Sequence, residues 1–435
     1  MNDTQQKRIL LWGGILLLII ILLGVGVLFF GRGGDTSGEV QGGGFFGFLF
    51  GGEESGGVLG SLFGGGNGSN DTKDGTSEND ANQSGRDLIT QVFPAPVSGA
   101  TFITLSQPSE ESGDEEEEIL AVRVIEKATG HMFDIPVDTL EATRITNTTI
   151  PHIHDALFSA DGSQLFTRSL NEQDVVEGTG ISISTAEEEG SDIGIAQAEF
   201  LRTGTLTFDT NPSQDSLFLL ERTQSGSRGI IVPFSGEGPK ETFSSPLSEW
   251  LIDWAEDDYI YLTTKPSASV PGYSYYTSLS SSTLNPLLSD RNGLTTLVNP
   301  DGTKVLFSES LGNTLILKVL SDGEETALLF DTLPEKCVWD TAGEGVYCGV
   351  PFSLPFTQYP DTWYKGEMFF EDGMWYYDVE ESIGFFLVDP NTYNATIDLI
   401  NPTLSDDGSL LLFTNKRDMT PWILRIDEAM ENVNY

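Results

Sequence analysis

Two cysteines, three histidines and a surplus of carboxylates are the side chains of this sequence best suited to chemistry. Cys337 and Cys348 are its only cysteines. Counting inward from both, Val338 faces Tyr347, Trp339 faces Val346 and Asp340 faces Gly345, leaving Thr341 to Glu344 as a turn. On such a hairpin the cysteines stand opposite one another, within reach of a structural cross-strand disulfide. A body outside the cytoplasm permits that bond; two reduced core cysteines are the alternative, and a redox or metal role ranks last. His152 and His154 would point both rings to one face of a strand, as a metal site requires. Asp155 is adjacent but no third ligand is identifiable, so turn or edge histidines are the plainer reading, for His131 as well.

The acid runs Glu110-Glu111, Asp114 to Glu118 and Glu187 to Glu189 are flanked by Ser or Gly and read as solvated loops. No spacing picks out a carboxylate pair for glycoside hydrolysis. There is no Gly-x-Ser-x-Gly elbow and, in the folded part, no phosphate-binding Gly loop. Asn70 to Gly75 faintly resembles a Ca²⁺ loop, but Ala81 stands where the closing Glu belongs. No catalytic residue, cofactor or metal site is therefore expected, with Ca²⁺ a weak alternative. Two aromatic segments are candidate partner-binding loops. One contains Trp363 and Tyr364, between Tyr359 and Tyr377; the other contains Tyr273, Tyr275 and Tyr276. The plainer reading of the first is outer-strand core of the fifth blade.

The elements that must position these residues start with the chain's ends and composition. Acidic residues number 66 against 22 basic, a formal charge of -44, in 435 residues. Such a surface repels nucleic acid and anionic headgroups, so no nucleic-acid partner is expected. Solubility is the plain reading of the acidity; a field that draws cationic partners or Ca²⁺ is the sharper one. With 38% hydrophobic and 10% aromatic residues the chain can bury a core. Residues 1–30 read as a short cytoplasmic N-terminus and a transmembrane anchor. The uncharged run from Ile9 to Phe30 spans about 30 Å of hydrocarbon at about 1.5 Å per residue. Lys7 and Arg8 before it, against Arg32 alone after it, place the body outside. No Ala-x-Ala-like site follows, which favours an uncleaved, single-pass anchor in the cell membrane. Residues 31–87 read as a Gly/Ser/Asn-rich flexible linker. It carries two apolar islands, around Phe45 to Phe50 and Val58 to Phe63. These read either as sticky low-complexity sequence near the bilayer or as a short docking segment.

Residues 88–435 show short runs of alternating or β-branched residues split by turn signals, and no long amphipathic helix. One turn recurs clearly three times: Leu157 to Phe166 around Asp161-Gly162, Leu297 to Phe307 around Asp301-Gly302, and Leu404 to Phe413 around Asp407-Gly408. Weaker copies lie near Asp215, Asp257 and Gly343. Successive copies are about 54, 42, 44, 42 and 64 residues apart, close to one four-stranded unit each. With a unit of Thr101 to Leu105 and Ile119 to Val137 ahead of the first copy, seven blades is the favoured count and six the alternative. Strands from the two ends of the chain would close the ring.

The clear copies resemble the WD40-like repeat of TolB-type β-propellers, whose core reads roughly Ser-Pro-Asp-Gly-x-x-Leu-x-Phe. The resemblance covers roughly residues 100 to 427 and implies an all-β propeller. It is nearly silent on function, because its members range from protein-binding scaffolds to non-catalytic domains of peptidases. The expectation is a membrane-tethered, extracytoplasmic propeller that binds a protein or cell-envelope polymer and is not an enzyme. A glycan-active hydrolase or lyase with central-face carboxylates is the alternative, and a purely structural surface protein a third.

Overall fold

A computed structural model describes residues 87–108, 116–184 and 194–433. The run at 9–30, the linker up to residue 86 with its apolar islands, and the acids at 110–111, 114–115 and 187–189 lie outside the described residues. Glu117 and Glu118 belong to the strand Glu116–Glu126 rather than to a loop. The described chain forms seven four-stranded antiparallel sheets, a seven-bladed β-propeller. Blades one to six each take four consecutive strands, spanning 97–144, 153–203, 205–245, 250–292, 295–327 and 337–388. Blade seven takes Leu399–Leu404, Leu410–Asn415 and Thr420–Arg425, and its outermost strand is Ile89–Gln91 from near the start of the described chain. Ile89 lies opposite Leu424 and Gln91 opposite Trp422, so the two ends close the ring as expected.

The recurring turn joins the first and second strands of a blade. At blades two, five and seven its Asp side chain accepts from the backbone N–H two residues on: Ser163 to Asp161, Thr303 to Asp301 and Ser409 to Asp407, each at 3.0 Å. Ser405 Oγ also donates to Asp407 at 2.7 Å. Gly162, Gly302 and Gly408 follow with φ of 67°, 71° and 73°, left-handed values that explain the glycine. Two of the three weaker copies reach the same end with other side chains. Asn211 Oδ1 accepts from Asp215 and Ser216 in blade three, and Asp340 accepts from Glu344 and Gly345 in blade six.

The apolar cores sit between neighbouring blades. Phe166 with Leu217 and Leu219 seals blades two and three, and Phe218 with Trp250 and Trp254 seals blades three and four. Leu306 with Trp339 and Tyr377 does the same for blades five and six. A fully buried side chain of this size contributes about 1.5–3 kcal/mol. In blade six Cys337 pairs with Cys348, Val338 with Tyr347 and Trp339 with Val346. That is the register counted from the sequence, and the two sulfurs are bonded across a Cα–Cα distance of 4.1 Å.

Candidate functional site: the aromatic insertion of blade six and the acids of the axis

Between the second and third strands of blade six the chain makes a 352–371 insertion with one helical turn, Asp361–Tyr364. Its polar groups tie it to three other blades. Asp361 accepts from Ala268 N at 2.6 Å in blade four, and Ser310 Oγ of blade five donates to Tyr359 O at 2.6 Å. In blade seven Lys416 Nζ donates to Trp363 O, and Arg417 Nη1 donates to Phe370 O at 3.3 Å. Beneath lies an apolar cluster of Leu315, Leu333, Tyr359, Trp363 and Phe370.

Lys336 is fully buried under this cluster, where an unpaired ammonium would cost several kcal/mol. Two carboxylates meet it: Asp372 at 2.7 Å and Asp398. Asp398 also accepts from the Trp363 indole N–H at 3.0 Å and from Phe370 N at 3.1 Å. Asp372 accepts from Leu399 N at 2.7 Å. Burial first, then the Asp398 charge against the Lys336 charge, leaves the Asp372 carboxyl pushed up to about 6. Burial likewise pushes the Lys416 ammonium down to about 8. Burial holds Glu335 above the usual carboxylate range, with Tyr364 donating to it and its Oε2 unpartnered among the described residues. Asp372 and the Asp398 carboxylate that shares Lys336 with it are buried away from any substrate. Their chemistry is spent on holding the insertion down.

A second set of perturbed acids stands on inner strands. Asp209 of blade three accepts from Trp254 N of blade four at 2.9 Å, and Asp253 of blade four accepts from Val298 N of blade five at 2.7 Å. Each carboxylate thus laces its blade to the next. Burial pushes Asp209 up to about 6; burial and the nearby Asp209 charge push Asp253 up to about 7.

The structure corrects two of the sequence candidates. Trp363 is only 3% exposed and is no protruding anchor: its N–H needs the buried Asp398, and its ring stacks on Phe370 at 6.2 Å. Tyr364 is half-buried with its hydroxyl on Glu335. Tyr273, Tyr275 and Tyr276 occupy the third strand of blade four, Pro271–Ser278, rather than a loop. Tyr275 packs edge-on to Trp250, Tyr276 packs on Tyr261, and Tyr273 alone of the three is exposed. Met374 to Tyr377 lie in the third strand of blade six, so that part of the segment is core as the plainer reading held, but in the sixth blade rather than the fifth. His152 sits before the strand with φ 60° and His154 within Ile153–Phe158, so they do not share a strand face. Among the described residues no three His, Cys, Asp or Glu converge as metal ligands.

What the sequence reading missed is the surface around the insertion. Phe356 is 82% exposed, and Phe352, Phe369 and Phe386 are exposed as well. Phe352 and Phe386 lie 6.5 Å apart, and Phe386 rests on Trp375 at 5.2 Å. The missed acids had a signal: Asp209, Asp253 and Asp398 are each a lone charge in an otherwise apolar or Thr-flanked strand run. Such a residue is either an outward-facing position or a buried one with partners.

No protein-family model matches the chain, and no curated protein matches it significantly. Among solved structures the chain is similar to an oligogalacturonate lyase in complex with manganese, at 9% identity and a TM-score of 0.49 over 77% of this chain and 100% of that one. It is similar to the oligogalacturonate lyase of Vibrio parahaemolyticus at 10% and 0.48, over 76% and 98%. Hydrazine synthase of Kuenenia stuttgartiensis follows at 10% and 0.46, over 70% and 92%. At such values the likenesses carry no argument about what this chain does.

Proposed function

We propose that this chain is a binding module: a propeller of the WD40-like, TolB-type kind, tethered to the cell membrane by its 9–30 segment, with the body outside. Residues 31–87 serve as its tether and 88–435 as its working domain. It takes hold of a protein or cell-envelope polymer through the aromatic surface of blade six. The observation that carries the reading is the exposure of four rings of blade six, Phe352 in contact with Phe386, and Phe356 and Phe369 on the insertion, on a chain of net charge -44. Exposed aromatic clusters on a rigid support are what interfaces are built from. The support here is the buried Lys336 ion cluster and the ties of the insertion to three other blades.

The test is crosslinking recovery from native membranes with the full chain, wild type beside Phe352→Ser/Phe356→Ser. A specific partner recovered by the wild type and lost by the variant is expected. Equal recovery by both would remove this surface from the reading. A glycan-active enzyme is the second reading, favoured by the raised carboxyls of Asp209 and Asp253. It predicts turnover of an oligosaccharide that Asp253→Asn abolishes.

A further inference from the structure

The seven outer strands show how this fold guards its edges, and one strand stands apart. An outer strand leaves a row of backbone N–H and C=O groups unpaired, a template for another chain. In blade one that strand is two residues long, Thr143–Arg144, and in blade seven three, Ile89–Gln91. Blade three uses Lys240–Ser245 with Lys240 and Glu241, and blade five Glu324–Ala327 with two exposed glutamates. Blades two and four carry Glu199 and Arg202, and Asp290 and Arg291. Blade six ends in Ile383–Val388, Ile-Gly-Phe-Phe-Leu-Val, with no polar side chain. Among the described residues it pairs only with Asp372–Asp378.

The side chains beside this edge are exposed and apolar: Ile383, Phe386, Leu329 and, through Phe386, Phe352. The C-terminal helix Ile426–Glu431 joins the blade six–seven core on the Leu387 side and leaves Phe386 exposed. Acids bracket the strand: Asp378, Glu380 and Glu381 before it and Asp389 after it. A second copy of this chain fits poorly. Antiparallel self-pairing would set Glu380 and Glu381 of one strand against Asp389 of the other, on two bodies of charge -44.

We infer that Ile383–Val388 is a strand-accepting edge, and that its partner is an extended peptide segment of another protein with large apolar side chains between basic flanks. The inference rests on the binding-module reading and names the chemistry of what is bound. Strand addition supplies main-chain hydrogen bonds for affinity and alternate side chains for specificity. Six residues offer a strand of roughly 20 Å. One face of the added strand would meet Phe386, Phe352 and Leu329, while Lys or Arg at its ends would meet the bracketing acids.

The test is fluorescence anisotropy of a labelled synthetic peptide, alternating Val and Phe between paired lysines, against the full chain in lipid nanodiscs. The unmodified peptide is expected to bind and to weaken as salt is raised. Phe386→Lys, at a surface position, is expected to weaken it about tenfold, with the thermal midpoint unchanged to verify folding. Two further probes carry N-methyl groups on alternate residues, in opposite phases. One phase is expected to lose binding and the other to keep it, because only every second peptide N–H faces the edge. Equal binding of both phases would overturn strand addition while sparing the aromatic surface as a side-chain docking site. Binding no better than to empty nanodiscs would overturn the inference as well. The Phe352→Ser/Phe356→Ser recovery experiment would still decide the binding-module reading separately.

Discussion

Blade five turns from its second to its third strand through the two residues Gly312 and Asn313, and ends in an outer strand bearing Glu324 and Glu325. Blade six, its neighbour, spends residues 352–371 on the same turn and ends in an outer strand of uncharged apolar residues. Both join their first two strands by a tight turn that an Asp side chain braces, Asp301 in one and Asp340 at a different place in the other, and both contribute to the same buried core between them. The framework is therefore common, and the difference lies in a connection and an edge, where a change need not disturb the core. Building the insertion brought its own requirement: a fully buried lysine between two carboxylates, which blade five does without.

Removing that lysine is the largest expected effect. Lys336→Met leaves Asp372 and Asp398 without their buried cation and is expected to cost about 3–5 kcal/mol by denaturant unfolding. In blade five Lys318 is part exposed and Arg291 also serves its partner Glu309, so Lys318→Met is expected to cost about 1 kcal/mol or less. Equal costs would break the comparison.

The disulfide is next. Cys337 and Cys348 are 11 residues apart, and replacing both by serine is expected to cost about 2–3 kcal/mol, read from the shift in the urea midpoint. Blade five has no such bond between its first two strands.

The pH dependence sharpens the contrast between the lacing acids of the axis and the acids of the turns. Asp253, pushed up to about 7, holds its proton more tightly in the folded chain than in the unfolded one. Its burial therefore costs stability above pH 7, and the cost shrinks as pH falls through 7 toward 4. Asp253→Asn keeps an acceptor for Val298 N–H and is expected to raise the thermal midpoint most above pH 7, with the gap closing at lower pH. Asp407 runs the other way. Hydrogen bonds from Ser405, then from Ser409, hold its carboxyl below the usual range, so its contribution is present above about pH 4 and lost below it. Asp407→Ala is expected to flatten the acid limb of the profile.

Phe386→Lys is the smallest effect on stability, within about 0.5 kcal/mol because the ring is already 41% exposed. Its effect belongs to binding. A large loss of stability would make the ring core rather than surface.

The all-β class, six turn-marked blades and the cysteine pair were legible in the sequence because each rests on local chemistry. Asp-Gly turns report themselves within a few residues, and a hairpin register can be counted outward from its turn. The first strand, Ile89–Gln91, was legible only as the general need to close a ring. Tertiary structure decided the rest. Trp363 turns inward because Asp398, 35 residues away in sequence, accepts its N–H in a buried site. Pro271-Gly272 opens a strand rather than a loop because the backbone of Asn285–Asn292 pairs with it. The exposed rings of blade six were invisible for the same reason: periodicity marks which residues share a face, but burial depends on which element arrives to cover that face.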